Sequence, residues 1–394
     1  MGIVSPVGSG IADFWRSLCA GRSGMREITR FDTTGFSCRR GGEIPDFAPS
    51  PDLTEKVADL DPATLFMLSA AQEAVRHAGL DGPATPASDA GVVLGTNFGG
   101  IASGEKVLAA VTGNGRARAA DFAEYGFQTC ADHVAAHWGM TGPRTVLSLS
   151  CASGAAALAF GADLIRAGRA AIVLTGGYDA LTPFVWSGLN ALHTMTRDEV
   201  RPFDRNRSGT LFGEGAGALV IEDMQQARSR GATVYAELAG YALNNNAHHM
   251  TAPAPEGRGS AAVLRAALAD AGVGPSDIDH FNAHGTATRH NDVTEAQALH
   301  AALGERASRI PVTSIKSMTG HMMGAAGSAE AVASILSIRT GTIPPTAHTR
   351  DLDPDCAVNC VTGTALRARV RTVLSNSAGI GGCNAAVIFR ETQD

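Results

Sequence analysis

The sequence predicts a layered α/β fold built from two duplicated halves, and three observations predict it. Val146–Gly168 joins a short alternating strand to an Ala-rich helix closing on Arg166-Ala167-Gly168. Gly324–Gly341 is a second small-residue helix closing on Arg339-Thr340-Gly341, 173 residues further on. The run Gly381–Phe389 likewise matches Gly213–Ile221, Ala385 lying 169 residues after Ala216, and two nearly equal separations imply a duplication with a small insertion or deletion. Each half also mixes buried strand patterns with helical ones, as layered α/β proteins do. No low-complexity linker parts the halves, so 1–223 and 224–394 are read as two units of one layered body.

The composition narrows the function classes. With 44% hydrophobic and 18% charged residues, the 394-residue chain has an ordinary globular balance. No apolar run reaches the roughly 18 residues of a membrane span, and the opening Met1-Gly-Ile-Val-Ser-Pro-Val-Gly8 lacks the basic and apolar regions of a secretory signal. The seven cysteines are odd in number and lack paired Cys-x-x-Cys spacing, which predicts a reduced cytoplasmic protein. A net charge of −6 without a basic stripe argues against nucleic acid as a partner, and a membrane partner is not expected either.

Taken in order, Val4 to about Val57 is broken by Gly and Pro and shows no long periodic helix. Asp61–Ala78 has helical spacing with Pro62 in the first turn, where proline is tolerated. Gly91–Thr96 reads as a short buried strand leading into the turn Asn97-Phe98-Gly99-Gly100, and Asp121–Trp138 as a helix. Ala171–Thr175 is a strand ended by Gly176-Gly177, and Arg201–Asp223 passes through a Gly-rich turn into the strand Ala218–Ile221.

Cys151 lies where the strand of Val146–Gly168 meets its helix. There the unpaired N–H groups and the helix dipole favour a thiolate, and Ala152, Ser153 and Gly154 leave room for a thioester. The alternative is a buried structural cysteine. Phe281-Asn-Ala-His284-Gly285-Thr286-Ala-Thr288 delivers a histidine into a Gly/Thr loop, and Thr313-Ser-Ile-Lys316-Ser-Met-Thr-Gly-His321 delivers a second one before the repeated helix. An imidazole at a helix N-terminus stays neutral and donates one N–H hydrogen bond. Lys316 and Glu330 are placed to form a buried ion pair beside it. His77, His133, His137 and the pair His248-His249 are read as structural. The wide separation of Cys151 from the histidines gives no metal-ligand spacing.

On these motifs the chain resembles the beta-ketoacyl-acyl carrier protein synthases of the elongating type I/II, within the thiolase-like superfamily. The resemblance runs nearly end to end. It is carried by Met1–Gly8, Ser150-Cys151-Ala-Ser-Gly154, Arg201-Pro-Phe-Asp204, Gly213-Glu-Gly-Ala-Gly217, His249-Met-Thr-Ala-Pro253, Asn282-Ala-His-Gly-Thr286, Lys316-Ser-Met-Thr-Gly-His321 and Gly379-Ile-Gly-Gly-Cys-Asn384. It implies a thiolase-like fold of duplicated α-β-α-β-α halves and a decarboxylative Claisen condensation. Cys151 would carry the acyl group, His284 and His321 would hold the enolate, and Lys316 and Glu330 would support them. Backbone N–H groups of Cys151 and Ile380 would form the oxyanion hole. Phe98, Thr286, Thr288, Ala378 and Ile380 would bind substrate. It implies no cofactor, no metal, an acyl carrier protein as partner, and a homodimer or a heterodimer with a homologous chain-length subunit.

The chain also departs from the family pattern. A short strand usually precedes the Gly-Ile-Val-Ser-Pro run in the family; here it is expected to be largely missing, or the start to be truncated. Ala378 and Ile380 stand where the family's gate loop carries phenylalanines, and Phe98 in the turn bordering the acyl pocket predicts a short or unusual acyl group. The usual basic docking helix here has Asp52, Glu55, Asp59 and Asp61 against Lys56 alone, so docking is expected to use Arg205 and Arg207, or else a partner subunit or a different carrier. Two other readings compete. Cys383 suggests a thiolase acting on coenzyme A esters, and a chain-length-factor-like partner subunit would be non-catalytic, although such subunits lack the cysteine kept here at 151.

Overall fold

The computed structural model describes residues 1–49, 53, 59–81, 89–113 and 115–392. The first half contributes β1 (Gly2–Ser5), β2 (Gly8–Ser9), α1 (Pro62–His77), β3 (Gly91–Gly95), α2 (Thr129–Trp138), β4 (Arg144–Leu147), α3 (Ser153–Arg166), β5 (Ile172–Asp179) and β6 (Gly215–Glu222). The second contributes β7 (Glu237–Asn245), α4 (Arg258–Ala271), β8 (His280–Asn282), α5 (Arg289–Leu303), β9 (Pro311–Thr313), α6 (Ala326–Thr340), β10 (Asn359–Cys360), β11 (Thr372–Ala378) and β12 (Cys383–Arg390).

One sheet runs β2-β1-β6-β5-β3-β4 and the other β10-β9-β8-β11-β12-β7. The core order β1-β6-β5-β3-β4 is therefore repeated as β7-β12-β11-β8-β9. Strand directions repeat too. β3 is parallel to β4 and β5, and β8 is parallel to β9 and β11, whereas the pairs β5/β6, β6/β1, β11/β12 and β12/β7 are antiparallel. Helices α1 and α2 bury their apolar faces on the first sheet, α4 and α5 on the second, and α3 and α6 lie between. The five-layer duplication is the observed architecture.

The central layer explains the small-residue helices. Every residue of α6 from Ala326 to Ile338 is buried, because a helix between two sheets has no solvent face. Where α3 and α6 cross, a Cβ on Gly154 would lie 2.7 Å from the Gly324 carbonyl, and one on Gly327 would lie 2.6 Å from the Ala155 nitrogen. Backbone therefore packs on backbone, and no larger side chain fits. Both helices stop at left-handed glycines, Gly168 (φ 64°) and Gly341 (φ 59°), the conformation that a side chain disfavours.

Local readings mostly hold, with physical reasons where they do not. Asp61 caps α1 by accepting from the Ala63 N–H, and Pro62 occupies the first turn. The helix expected over 121–138 is two helices, Ala119–Glu124 and Thr129–Trp138; the Thr129 hydroxyl donates to the Ala123 carbonyl and turns the chain between them. The nine-residue helix Ile11–Cys19 sits in the stretch where none was read. Gly2–Ser5 does form a strand, paired with β6 across Ala216–Ala218, whereas β7 pairs with β12 from Cys383 to Arg390. A cleft of about 810 Å³ opens beside the rest of β6, floored by Leu219, Ile221, Tyr235 and Phe389.

The helix crossing is testable. Gly327→Ala is expected to lower unfolding stability by about 1–3 kcal/mol, the usual effect of overpacking a tight core, read as a lower urea midpoint at unchanged m-value. Gly188→Ala, in the helix Pro183–Ala191 with nothing within 4 Å of the added Cβ, is expected to leave stability unchanged or raise it. Equal losses at both positions would refute the close-packing account.

Candidate active site

The two central helices start at the same place. The would-be Cβ of Gly154 meets both the Gly324 carbonyl and the Ser328 nitrogen, so the N-terminus of α3 abuts that of α6. Cys151 lies just before the first and His321 just before the second, and the positive dipole ends converge on the space between them. A cavity of about 340 Å³ occupies that space and is lined by Cys151, His284 and His321, with Phe212, Thr286 and Ile380 among its walls.

Strand β4 ends at Leu147, earlier than expected, and Ser148–Ala152 forms a sharp turn. Ser150 holds φ 52°, a conformation uncommon for a residue with a side chain. Ser153 holds the turn: its hydroxyl donates to the Ser150 carbonyl at 2.6 Å and accepts the Leu149 N–H at 2.8 Å. The result is a bent strand-to-helix junction that presents the Cys151 sulfur to the cavity. Burial pushes the Cys151 thiol up, opposed by the Ser150 hydroxyl, the Lys316 charge and the Ile380 backbone N–H. The sequence expectation of a favoured thiolate is corrected accordingly. Desolvation outweighs the stabilising groups, and the resting group is a thiol.

The histidines are oriented by their Nδ1 partners. Lys316 Nζ donates to His284 Nδ1 at 3.3 Å, and the Met323 backbone N–H donates to His321 Nδ1 at 3.2 Å. An Nδ1 that accepts leaves the hydrogen on Nε2, so each ring presents an Nε2–H donor. The two rings meet edge to face with centroids 5.3 Å apart, and Phe212 stacks on His321 at 5.5 Å. Burial, followed by the nearby Lys316 charge, holds both imidazoles well below their ordinary range. They are neutral, and burial is the main cause where the sequence reading had invoked the helix end.

Lys316 pairs with Glu330, and both side chains are 1% exposed. Burial pushes the Glu330 carboxyl up to about 7 against the pull of Lys316. Glu295 accepts from the His284 and Gly285 N–H groups, both at 2.7 Å, and from the Asn376 amide at 2.7 Å. It thus holds the loop that carries His284.

The other anticipated residues divide. Thr286, Thr288, Ala378 and Ile380 line the cavity. Phe98 does not. It packs on the adjoining apolar cluster with Trp186, Phe212 and Leu192, the last two of which reach the cavity wall. Arg205 is exposed, with Asp351 3.5 Å away. Arg207 is not a docking residue: it is 6% exposed, pairs with Asp353 and donates to the Asp204, Thr288 and Arg289 carbonyls. Its charge is spent inside the fold. Asp59 pairs with Arg118 and Asp61 is buried, whereas Asp52, Glu55 and Lys56 lie outside the described residues. Cys383 does not line the cavity, and its sulfur accepts from the Asn245 amide at 3.5 Å. Among the described residues no cluster of three His, Cys, Asp or Glu side chains is arranged to hold a metal ion. Sequence reasoning missed Phe212 and Asp179; the only linear signal for the second is an acidic residue ending a buried strand after Gly-Gly.

The thiol state has a direct test. Below its pKa the thiolate fraction of Cys151 grows with pH, so iodoacetamide modification is expected to speed up about tenfold per unit between pH 7 and 9. A rate that levels off below pH 8 would mean a low-pKa thiolate instead.

Comparison with known proteins agrees with this geometry. Residues 1–227 match the family model of the beta-ketoacyl synthase N-terminal domain, and residues 235–350 that of the beta-ketoacyl synthase C-terminal domain. The chain is 37% identical over its whole length to 3-oxoacyl-[acyl-carrier-protein] synthase 2 of Synechocystis, of which it covers 97%. Over 99% of both chains it is 36% identical to the enzyme of that name from Staphylococcus aureus. Among solved structures, the ishigamide ketosynthase/chain length factor superposes with a TM-score of 0.94 at 36% identity, covering all of this chain and 98% of that one. A type II polyketide ketosynthase solved in complex with its acyl-carrier protein superposes with a TM-score of 0.91 at 32% identity, with the same coverage. Matched by family models over most of its length and by relatives end to end, this chain belongs to the beta-ketoacyl synthase family.

Proposed function

We propose that the protein is a 3-oxoacyl-[acyl-carrier-protein] synthase that condenses an acyl group held on Cys151 with a malonyl-carrier thioester, in fatty-acid or type II polyketide synthesis. The observation that carries this reading is a buried thiol sharing one cavity with two neutral histidines, each presenting Nε2–H. A neutral N–H donor suits an enolate, because it stabilises developing charge without giving up its proton.

In the first half-reaction the Cys151 sulfur attacks the acyl thioester carbonyl and the carrier sulfur leaves, taking up the proton that Cys151 loses. The oxyanion of that step, and of the later one, is assigned to the backbone N–H groups of Cys151 and Ile380. In the second, the malonyl carbon–carboxylate bond breaks and CO2 departs. The electron pair becomes an enolate held by His284 and His321. Its carbon attacks the acyl-Cys carbonyl, a carbon–carbon bond forms, and the Cys151 sulfur leaves and is reprotonated. Lys316, paired with Glu330, keeps His284 in its donor tautomer. No external cofactor enters these steps.

Thr286, Thr288, Ala378 and Ile380 are proposed to contact the incoming thioester arm, and Phe98 to limit acyl length from the cluster behind Leu192. The split at 223/224 into a nucleophile half and a histidine half is part of this reading, supported by the sheet change between β6 and β7. Arg205 remains the proposed carrier contact. The exposed apolar residues Leu108, Val111, Phe122, Tyr125 and Phe184 support pairing with a homologous subunit, as a homodimer or with a chain-length partner. All seven cysteines are free, which supports a cytoplasmic setting. A coenzyme A thiolase is disfavoured because Cys383 is absent from the cavity wall, and a non-catalytic partner because Cys151 and both histidines are in place.

Intact-mass spectrometry after incubation with a panel of acyl-carrier thioesters is expected to show an acyl adduct on the wild type and none on Cys151→Ala. Loading from coenzyme A esters alone would support the thiolase, and no adduct from any donor would overturn the enzymatic reading. Across carrier thioesters of graded length, Phe98→Ala is expected to move the preference toward longer chains. An unchanged length profile would remove Phe98 from the acyl site.

A further inference from the structure

Asp179, the last residue of β5, is fully buried, and among the described residues no lysine or arginine pairs with it. Its carboxylate instead accepts from four donors on two separate segments. From the turn after β3 come the Thr96 hydroxyl at 2.7 Å, the Asn97 N–H at 3.0 Å and the Phe98 N–H at 3.0 Å. From the turn after His321 comes the Gly324 N–H at 2.7 Å. A Cβ on Gly324 would sit 2.7 Å from Asp179 Oδ2 and 2.8 Å from the Thr96 Cα, so the two turns pack closely and the Asp179 carboxylate bonds to both. Burying an unpaired carboxylate is expensive unless hydrogen bonds satisfy it. The expense has a structural return: the turn bearing Phe98 and the segment bearing His321 share one anchor.

We infer that Asp179 is a positioning residue of the condensation, fixing His321 relative to Cys151 by tying the Gly324 turn to the Thr96–Phe98 turn with a single buried charge. The inference rests on the synthase reading above. The side chain has no route to substrate, since it does not line the cavity, and it acts through its neighbours. Both carboxylate oxygens face donors, so an asparagine of the same shape must turn an N–H toward another N–H and break one side of the link. The charge also reaches the nucleophile. Asp179 is among the groups that push the Cys151 thiol up, so removing it lowers the thiol pKa. Those two consequences have opposite signs in the reactions they govern.

The test uses the full chain with Asp179→Asn, measuring alkylation of Cys151 by iodoacetamide at pH 7 and decarboxylation of a malonyl-carrier thioester. Decarboxylation is expected to fall about tenfold or more, as small misplacements of catalytic groups do. Alkylation is expected to rise, because removing a charge that pushes the thiol up enlarges its thiolate fraction. Loosening the fold would also expose the buried thiol and quicken alkylation, so a lowered urea unfolding midpoint in Asp179→Asn would mean a structural role and overturn the positioning one. Thr96→Val keeps the charge and deletes one donor, and serves if Asp179→Asn does not fold. It is expected to slow decarboxylation by a smaller factor without quickening alkylation. Unchanged decarboxylation in both variants overturns the proposal, as does a folded Asp179→Asn whose thiol is no more reactive. A wild type that decarboxylates no malonyl-carrier thioester would overturn the synthase reading instead, and the alkylation arm would still report on Asp179.

Discussion

The close crossing of α3 and α6 is the constraint from which the rest of the molecule follows. Glycines at 154 and 327 let backbone approach backbone, at the separation where a helix pair between two sheets excludes any larger residue. Because the two helices are repeats of one another, that crossing also brings their N-termini together. Two positive dipole ends then face one small volume, and Cys151 and His321 stand at their mouths. A site for transient anions is thus a by-product of stacking two copies of one unit.

The electrostatics of that volume are set by burial as much as by charge. Lys316 is neutralised by Glu330, and its remaining influence is to orient His284 and to disfavour a proton on either imidazole. Desolvation does the same work more strongly. The outcome is a cavity whose reacting groups are all neutral at rest, a thiol and two N–H donors, in which charge arises only as bonds change. Preorganised donors of this kind act most effectively where water is excluded. Glu295, on the cavity wall, and Asp179, behind it, carry negative charge that is taken up largely by backbone N–H groups of the segments bearing the histidines.

Relatives place this arrangement in a family, and the particular side chains give it its own character. Ala378 and Ile380 flank Gly379 on the cavity wall, and Ile380 is 41% exposed. Phe212 also lines the cavity and belongs to the apolar cluster that includes Phe98 and Trp186.

Much of this was legible in the linear chain. Local rules read the strand-to-helix junctions, the left-handed glycine stops after α3 and α6, and the capped start of α1, because each depends on residues within a few positions of one another. The duplication was legible because two copies keep the same small-residue periodicity. Cys151, His284, Lys316 and His321 stood in recognisable motifs, and the structure gathers them. What the tertiary structure alone decided is the environment of each group. A cationic side chain such as Arg207 reads as a docking residue until packing buries it against Asp353. A cysteine at a helix start reads as a thiolate until desolvation outweighs the dipole. Phe98 reads as a pocket floor, yet it is absent from the cavity wall that Leu192 and Phe212 reach. Asp179 carries no motif at all, since its donors lie about 80 and 145 residues away. Residue identity and near-neighbour spacing are properties of the chain; burial, and the charge states that follow from it, belong to the fold.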